Sequence, residues 1–319
     1  MPSSYSGNSG NSGNSGNSGN SGNSGNSGNA GNATSIAGGW FFPDRISLPF
    51  VTTPDTGPDA PPQPITVGEL PLIPVPHFPA RNWAPEWRAW VALGEFAGTG
   101  WATLDPSGQP GWPGWVPPPA DVPAAGLDWP GLTQDGEVRK LVVAASDERA
   151  DALGEIVTQS DEFISWFLNI ITARPGSYPK TTLVLTIANL VATLPTMHLK
   201  SLYARPRPSE LCPALLPPIA VPGHASFPSG HSTQSHLMAL CMAEVMQGLA
   251  QAPTMGGVMW TLADRIARNR EIAGLHYASD SDAGVALAHA VLPLLQAPLP
   301  GGAQSTYQAA VLAARAEWQ

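Results

Sequence analysis

The chain has 319 residues, of which 43 % are hydrophobic and 12 % are charged, and its formal net charge at pH 7 is −9. This composition is enough for a sizeable core, so we expect one large domain or a domain with appendages. An acidic chain without a basic tract argues against nucleic-acid binding as the main function. The two cysteines, Cys212 and Cys241, are too few for a disulfide framework.

No stretch of the sequence reaches the roughly 18 consecutive apolar residues that indicate a membrane-spanning helix. The nearest approach, residues 183–194, is interrupted by Thr186, Asn189 and Thr193. The N-terminus shows neither the basic region nor the apolar region of a secretory signal. These features predict a protein with no transmembrane segment that is soluble and, by default, cytoplasmic.

The first 133 residues of the chain divide into two segments. Residues 7–32 repeat Gly-Asn-Ser, which has nothing to bury and no proline to stiffen it, so residues 1–35 are predicted to be a disordered tail. Residues 36–133 are rich in proline, which disfavours long helices, and in tryptophan. We interpret them as an irregular segment packed on a helical core, with one short helix at 85–97. A tryptophan-lined sugar or partner site is the alternative.

From residue 134 onward the apolar residues recur at helical spacing, and no convincing alternating strand pattern appears. Two short helices are predicted, one after Ser146 or Asp147 and one after Ser160, each of which is a suitable cap. Longer helices are predicted at about 180–194, 231–250, 255–275 and 281–296. Residues 134–319 are therefore predicted to form the catalytic domain, an all-α helical bundle.

Two polar segments interrupt these apolar helices. In the first, Lys200 to Pro208, the cations Lys200 and Arg207 are seven residues apart and are predicted to share one helix face. Arg205, which lies between them, is expected to be solvated or paired with Glu210. In the second, Phe227-Pro-Ser-Gly-His, a glycine-containing turn leads into a helix, whose free N–H groups and macrodipole favour an anion.

A third polar segment runs from Arg270 to Asp280. His276 and Asp280 are four residues apart, a spacing that lets the carboxylate hydrogen-bond one imidazole nitrogen and fix its tautomer. Guanidinium groups suit a tetrahedral oxyanion, and serine and backbone amides add uncharged donors. The three segments together predict an oxyanion site with two histidines, built from Lys200, Arg207, Ser229, Gly230, His231, Arg270, His276 and Asp280.

The order Lys-x6-Arg-Pro, Pro-Ser-Gly-His and Arg-x5-His-x3-Asp resembles the three-part signature of the type 2 phosphatidic acid phosphatase superfamily. That superfamily also includes bacterial class A acid phosphatases and vanadium-dependent haloperoxidases. The resemblance covers residues 200–280 directly and extends to the helical region from about 135 to 296. It implies a helical bundle of the acid phosphatase/haloperoxidase type. One departure is Asn269, which stands where members usually have serine.

The resemblance also implies a role for each matching residue. His276 would attack phosphorus to form a phosphohistidine, and His231 would be the general acid for the leaving alkoxide and then the base for water. Asp280 would orient His276. The phosphate or vanadate oxygens would be bound by Lys200, Arg207, Ser229, Gly230 and Arg270.

The short connection between the first two motifs and the sequence around His276 favour the soluble bacterial acid phosphatase-like branch. We therefore expect hydrolysis of a small phosphorylated substrate, a phosphomonoester, with no cofactor. One alternative is a vanadium-dependent haloperoxidase that binds vanadate through His276, and another is a non-catalytic oxyanion binder. A metal site that adds His236 to the histidines is disfavoured by the nearby cations. The oligomeric state is left open, with a homo-oligomer among the options.

Overall fold

A computed structural model describes residues 77–79, 83–112 and 136–319 of the chain. In these residues the regular secondary structure consists of α-helices and short 3-10 turns, without a β-strand, which confirms the all-α prediction. The tail predicted at 1–35 lies outside the described residues, as does most of the segment predicted at 36–133. The division of the chain into these three segments stays a prediction.

Ten α-helices lie in the described part of the chain. In order they are α1 (Pro85–Ala97), α2 (Glu137–Asp147), α3 (Arg149–Thr158), α4 (Ile164–Ile170), α5 (Pro179–Tyr203), α6 (Pro208–Leu211), α7 (Gly230–Val245), α8 (Ala252–Ile272), α9 (Ala278–Gln296) and α10 (Thr306–Ala316). The predicted helix at 85–97 coincides with α1, and the four longer predicted helices correspond to α5, α7, α8 and α9. Helices α2 and α10 were not predicted.

Helix α7 lies at the centre of the bundle, where it packs against α5, α8 and α9. Helices α1 and α10 cover α5. The first turn of α7 and the second turn of α9 approach closely at Gly284, where an added Cβ would lie 2.6 Å from the Cβ of Ser232 and 2.9 Å from the carbonyl oxygen of Ser229. Glycine is therefore required for this approach, which brings the beginnings of the two helices together.

Carboxylates that are distant in sequence cap two of the helices that build the bundle. Glu317 accepts hydrogen bonds from the backbone N–H groups of Lys180 and Thr181, at 2.7 and 2.8 Å, at the start of α5. Glu95 of α1 accepts from the N–H group of Thr306, at 2.8 Å, at the start of α10. Unpaired N–H groups and the macrodipole favour a carboxylate at these ends, so the caps fix helices to one another.

The predictions of no transmembrane segment and of a soluble, cytoplasmic protein are wrong. Within the described residues, the stretch Pro179–Leu211, which is mainly α5, is long and apolar enough to cross a membrane, with a mean hydropathy of 1.5 over an 18-residue window, 61 % of it buried in the protein. In the sequence, Thr186 counts as an interruption of the apolar stretch. In the helix, the Thr186 hydroxyl donates to the carbonyl of Thr182 at 2.8 Å, so its polar group is satisfied internally.

Candidate active site

The first polar segment does not form one continuous helix. Lys200 lies in the last turn of α5, which ends at Tyr203 because Ala204 adopts a left-handed conformation with φ of 47°. Arg207 follows in extended backbone and precedes α6. The prediction that Lys200 and Arg207 share a helix face is therefore wrong, since the chain changes direction between them.

The two cations nevertheless converge on one loop, residues 224–226. The Nζ atom of Lys200 donates to the carbonyls of Ala225 and Ser226 at 2.8 and 2.7 Å. The Nε atom of Arg207 donates to the carbonyl of His224 at 2.9 Å. Both side chains are buried, each with 2 % exposure, so two positive charges lie inside the protein beside the segment that precedes α7.

The second polar segment begins α7 as predicted. Ser229 is buried and is the N-cap, and its hydroxyl accepts from the N–H group of Ser232. Gly230 and His231 are the first two residues of the helix, whose N–H groups have no intrahelical acceptor. This end of α7 therefore offers free N–H groups and the positive end of the helix dipole to an anion.

His231 is held beside the C-terminal end of α3. Its Nε2 atom donates to the carbonyl of Gln159 at 3.0 Å, and its ring lies against that of Phe163, with 5.0 Å between ring centroids. Burial lowers the pKa of His231 to about 3, and the positive charge of Arg270 and then of Lys200 adds to this effect. In the unliganded site the imidazole is therefore neutral.

Arg270 comes from the last turn of α8 and is 1 % exposed. Its Nη2 atom donates to the carbonyl of Ile156 at 2.7 Å, one turn from the carbonyl that holds His231. Its Nε and Nη1 atoms have no hydrogen-bond partner in the described part of the chain. Burial lowers the pKa of Arg270 to about 10, so the guanidinium is charged near neutral pH with two donor atoms unused.

His276 and Asp280 form the pair that their spacing predicts. The Nδ1 atom of His276 donates to Oδ2 of Asp280 at 3.1 Å, and the Nε2 atom lies 3.4 Å from Nη1 of Arg207. Burial, together with the positive charge of Arg207, holds the pKa of His276 well below its ordinary value. Burial alone would raise the pKa of Asp280, but the hydrogen bond from His276 and the charge of Arg205 hold that pKa well below its usual range.

The structure thus brings all eight predicted residues to one region, where α5, α7, α8 and α9 meet. Lys200 and Arg207 reach the loop before α7, and Asp280 of α9 accepts the N–H group of Ser229 through its backbone carbonyl at 2.9 Å. Arg270 and Lys200 both act electrostatically on His231. Three cations, a helix N-terminus and two neutral histidines can bind a tetrahedral oxyanion and perform nucleophilic and acid–base chemistry on it.

Sequence reasoning missed Arg205. This side chain is fully buried and pairs with Asp280 and with Glu137 of α2, at 2.7 and 2.9 Å, rather than being solvated or paired with Glu210. The available signal was weak: an arginine within an apolar segment, and an acidic residue that begins an otherwise ordinary amphipathic helix. Neither feature identifies its partner.

Asn269, the departure from the family pattern, ties α8 to α3 behind Arg270. It is buried, and its Nδ2 atom donates to Oε2 of Glu155 at 2.9 Å and to Oε1 of Gln159 at 2.8 Å. His236, considered above as a metal ligand, instead contacts the carbonyl of Ser232 and the carboxylate of Asp264 with its two ring nitrogens. These two contacts occupy both ring nitrogens of His236.

Part of the chain, the part that contains the site, matches a known protein family. Residues 180–297 match the family model described as PAP2 superfamily. A search of curated proteins finds no match. One matching solved structure is described as the first transmembrane PAP2 type phosphatidylglycerolphosphate phosphatase from Bacillus subtilis. It is 17 % identical, with a TM-score of 0.31, and the match covers 50 % of this chain and 74 % of that one. The matched segment contains all eight site residues, and this part of the chain is similar to the PAP2 superfamily.

Proposed function

We propose that this protein hydrolyses phosphate monoesters through a covalent phosphohistidine on His276, as an acid phosphatase-type enzyme that needs no metal ion. The match of residues 180–297 to the PAP2 superfamily model supports a phosphatase-type hydrolase in general terms. The observation that carries the finer proposal is the buried guanidinium of Arg270, with two donor atoms unpartnered in the described residues. A buried charge is costly unless an anion meets it, and a phosphate oxygen would do so.

The remaining groups of the site suit the other phosphate oxygens. Lys200 and Arg207 are buried and both contact the loop at residues 224–226. The first N–H groups of α7, which begins just after this loop, point out of the N-terminal end of the helix. Preorganised cations and N–H groups stabilise the charge on the equatorial oxygens of a phosphoryl-transfer transition state. In this proposal the oxygens are bound by Lys200, Arg207, Ser229, Gly230 and Arg270.

His276 is the proposed nucleophile because its tautomer is set. With Asp280 ionised, Nδ1 carries the proton, so the Nε2 lone pair is available for attack. The lowered pKa keeps the imidazole unprotonated at neutral pH. The new Nε2–P bond forms as the bond from phosphorus to the leaving oxygen breaks, with Arg207 adjacent to the reacting nitrogen at 3.4 Å.

His231 is the proposed general acid. Its pKa of about 3 in the empty site leaves it unprotonated, but a bound phosphate dianion would raise that pKa by offsetting the charges of Arg270 and Lys200. The protonated ring then donates its proton to the leaving alkoxide. The neutral ring next accepts a proton from the water that attacks the phosphohistidine, which regenerates His276.

The electrostatics of the site support the proposed metal independence. Lys200, Arg207 and Arg270 place three positive charges where a divalent ion would have to bind. A cation prefers carboxylate, imidazole or thiolate ligands, and Asp280, the one carboxylate among the eight site residues, is occupied by His276 and Arg205. The guanidinium and ammonium groups would supply the charge stabilisation that a metal supplies elsewhere.

The proposal is tested with paired assays on purified full-length protein. We expect hydrolysis of p-nitrophenyl phosphate that is unaffected by a chelator and inhibited by vanadate. Loss of hydrolysis with the chelator and recovery with a divalent ion would show that the metal-free mechanism is wrong. After vanadate loading, peroxide-dependent bromination without phosphatase activity would identify a haloperoxidase, and vanadate binding with neither activity a non-catalytic oxyanion binder. Arg268→Met, which removes a partly exposed guanidinium outside the site, is the matched control.

A further inference from the structure

Arg205 lies two residues before Arg207 but turns toward the opposite side of the catalytic pair. Its Nη1 atom donates to Oδ1 of Asp280 at 2.7 Å, and its Nη2 atom donates to Oε2 of Glu137 at 2.9 Å. The side chains of Arg205 and Asp280 are both fully buried. The guanidinium carbon lies 3.7 Å from the centroid of the Tyr277 ring. These contacts commit the guanidinium to the protein rather than to a phosphate.

Glu137 ties this arginine to the helix that carries Asp280. Its Oε1 atom accepts the backbone N–H group of Ser279 at 2.7 Å, and its Oε2 atom accepts the Ser279 hydroxyl at 2.8 Å. Nη1 of Arg205 also donates to that hydroxyl at 2.8 Å. Glu137 thereby caps the start of α9 and holds Arg205 with the same carboxylate.

The two oxygens of Asp280 have separate partners. Oδ1 accepts from Arg205, whereas Oδ2 accepts from Nδ1 of His276, from the N–H group of Tyr277 at 3.1 Å and from the hydroxyl of Ser226. Without Arg205, Oδ1 would lose its ionic partner inside the protein, which favours protonation of the carboxyl and its rotation away from His276.

We propose that Arg205 and Glu137 form a positioning pair, which holds Asp280 ionised with Oδ2 facing His276 and so fixes the Nδ1–H tautomer of the nucleophile. The pair acts through Asp280 and contacts neither the substrate nor the attacking nitrogen. This inference rests on the proposed function only in assigning attack to His276. Removing a hydrogen-bond partner that orients a functional histidine commonly lowers activity by about 10- to 100-fold.

The charged surroundings determine what a pH profile reports. Asp280 faces Arg205 on one side and His276 on the other, and Lys200 and Arg207 act on His276. Glu137 and Glu210 act on the adjacent Tyr277, and Glu137 also acts on Asp282. Removing the charge of Arg205 raises the pKa of Asp280, since that charge is one cause of its low value. The acid limb of the kcat profile should therefore move to higher pH.

The test measures kcat and KM for p-nitrophenyl phosphate across pH in Arg205→Lys, Arg205→Met and Glu137→Gln. We expect kcat to fall about 10- to 100-fold in Arg205→Met and less in the other two, with KM changed less than about 3-fold. Arg205→Lys and Glu137→Gln keep the test informative if the buried Met variant does not fold. Arg268→Met is the matched control, because Arg268 also bridges two carboxylates, Glu148 and Glu271, but is partly exposed.

A mutant cycle and a spectroscopic measurement separate positioning from a general structural effect. In the Asp280→Asn background, Arg205→Lys should have little further effect on kcat, since the group through which it acts is altered. Equal fold-losses in both backgrounds, a raised KM with unchanged kcat, or the same loss in Arg268→Met would overturn the proposal. NMR of 15N-labelled histidine reads the tautomer and titration of His276 without requiring activity. A shift there in Arg205→Lys supports the positioning pair even if the wild type hydrolyses no ester, and an unchanged signal in an active enzyme overturns it.

Discussion

Helices α7 and α9 each have one end in the active site and one end at the opposite side of the bundle. The two ends differ in how completely the surrounding polar groups are hydrogen-bonded. At the far end, Glu244 of α7 accepts from the hydroxyl of Tyr307 at 2.7 Å and from Gln296 of α9 at 2.8 Å. Its backbone carbonyl accepts from Arg315. At the site end, Arg270 and Gln159 retain donor atoms without a partner in the described residues.

The difference separates polar groups that are paired within the fold from polar groups that are left available to a ligand. Buried polar groups are normally paired, so an incompletely paired cluster indicates a missing binding partner. Open volume is a poorer guide in this protein. A cavity of about 250 Å³ lies at the far end, lined by residues of α1 and the end of α9 together with Ser305 and Tyr307, and it contains none of the site cations. We therefore expect substitutions at the site end to change activity and those at the far end to change stability.

The largest effect should come from His276→Ala at the site end. Without an imidazole at this position no phosphohistidine can form, so kcat for every phosphoester should fall by about 10⁴-fold or more, with the melting temperature nearly unchanged. Acid-quench trapping of labelled phosphoenzyme measures the intermediate directly. Phosphoenzyme that still accumulates in this variant would refute the assignment of the nucleophile.

His231→Ala should have an effect that depends on the leaving group. General acid catalysis is typically worth about 10²- to 10⁴-fold, and it matters less for a leaving group that needs no proton. We expect a much larger loss of kcat/KM on an alkyl phosphate than on p-nitrophenyl phosphate. His198→Ala is the control, since that histidine of α5 contacts Trp101. Equal losses on both substrates would mean that His231 is not the general acid.

Arg270→Met should weaken function while leaving the unliganded fold intact. Loss of one oxyanion donor typically costs about 10²- to 10³-fold in kcat. The free energy of unfolding should stay the same or rise by about 1 kcal/mol, because a buried charge with unused donors is replaced by an apolar side chain of similar length. Urea unfolding and vanadate titration measure the two effects. A loss of stability as large as that of a core cavity would show that the guanidinium is structural.

The smallest effect on activity should come from Tyr307→Phe at the far end. Removing the hydroxyl deletes the hydrogen bond to Glu244, so the free energy of unfolding should fall by about 1–2 kcal/mol. We expect kcat/KM for p-nitrophenyl phosphate to stay within about 2-fold of the wild type, measured well below the melting temperature. A drop in activity without a drop in stability would contradict the expectation that substitutions at the far end change stability and not activity.

Much of the bundle and of the site could be predicted because its signals are local in sequence. Apolar periodicity located the longer helices, and a spacing of four residues was enough to pair His276 with Asp280. The caps and partners that complete the site are not local. Arg205 pairs with Glu137 across 68 residues of sequence, and no pattern in either segment indicates the other.

Backbone groups were a second source of missed contacts. The carbonyls of Ile156 and Gln159 hold Arg270 and His231, and a carbonyl belongs to every residue type, so it leaves no trace in composition. The end of α5 was misjudged for a related reason. Ala204 adopts the left-handed conformation that glycine usually signals, so the sequence suggested a continuous helix where the chain turns.

The absence of a side chain at Gly284 allows α9 to pack directly against the turn at the start of α7. An added Cβ would meet the side chain of Ser232 at 2.6 Å and the carbonyl oxygen of Ser229 at 2.9 Å. Glycine at position 232 would remove the first contact, which is with Cβ of Ser232, but not the second, because the second involves backbone. Variation at position 284 is therefore constrained by the turn itself. Among functional variants selected from a library randomised at 232 and 284, glycine should persist at 284 whatever residue occupies 232.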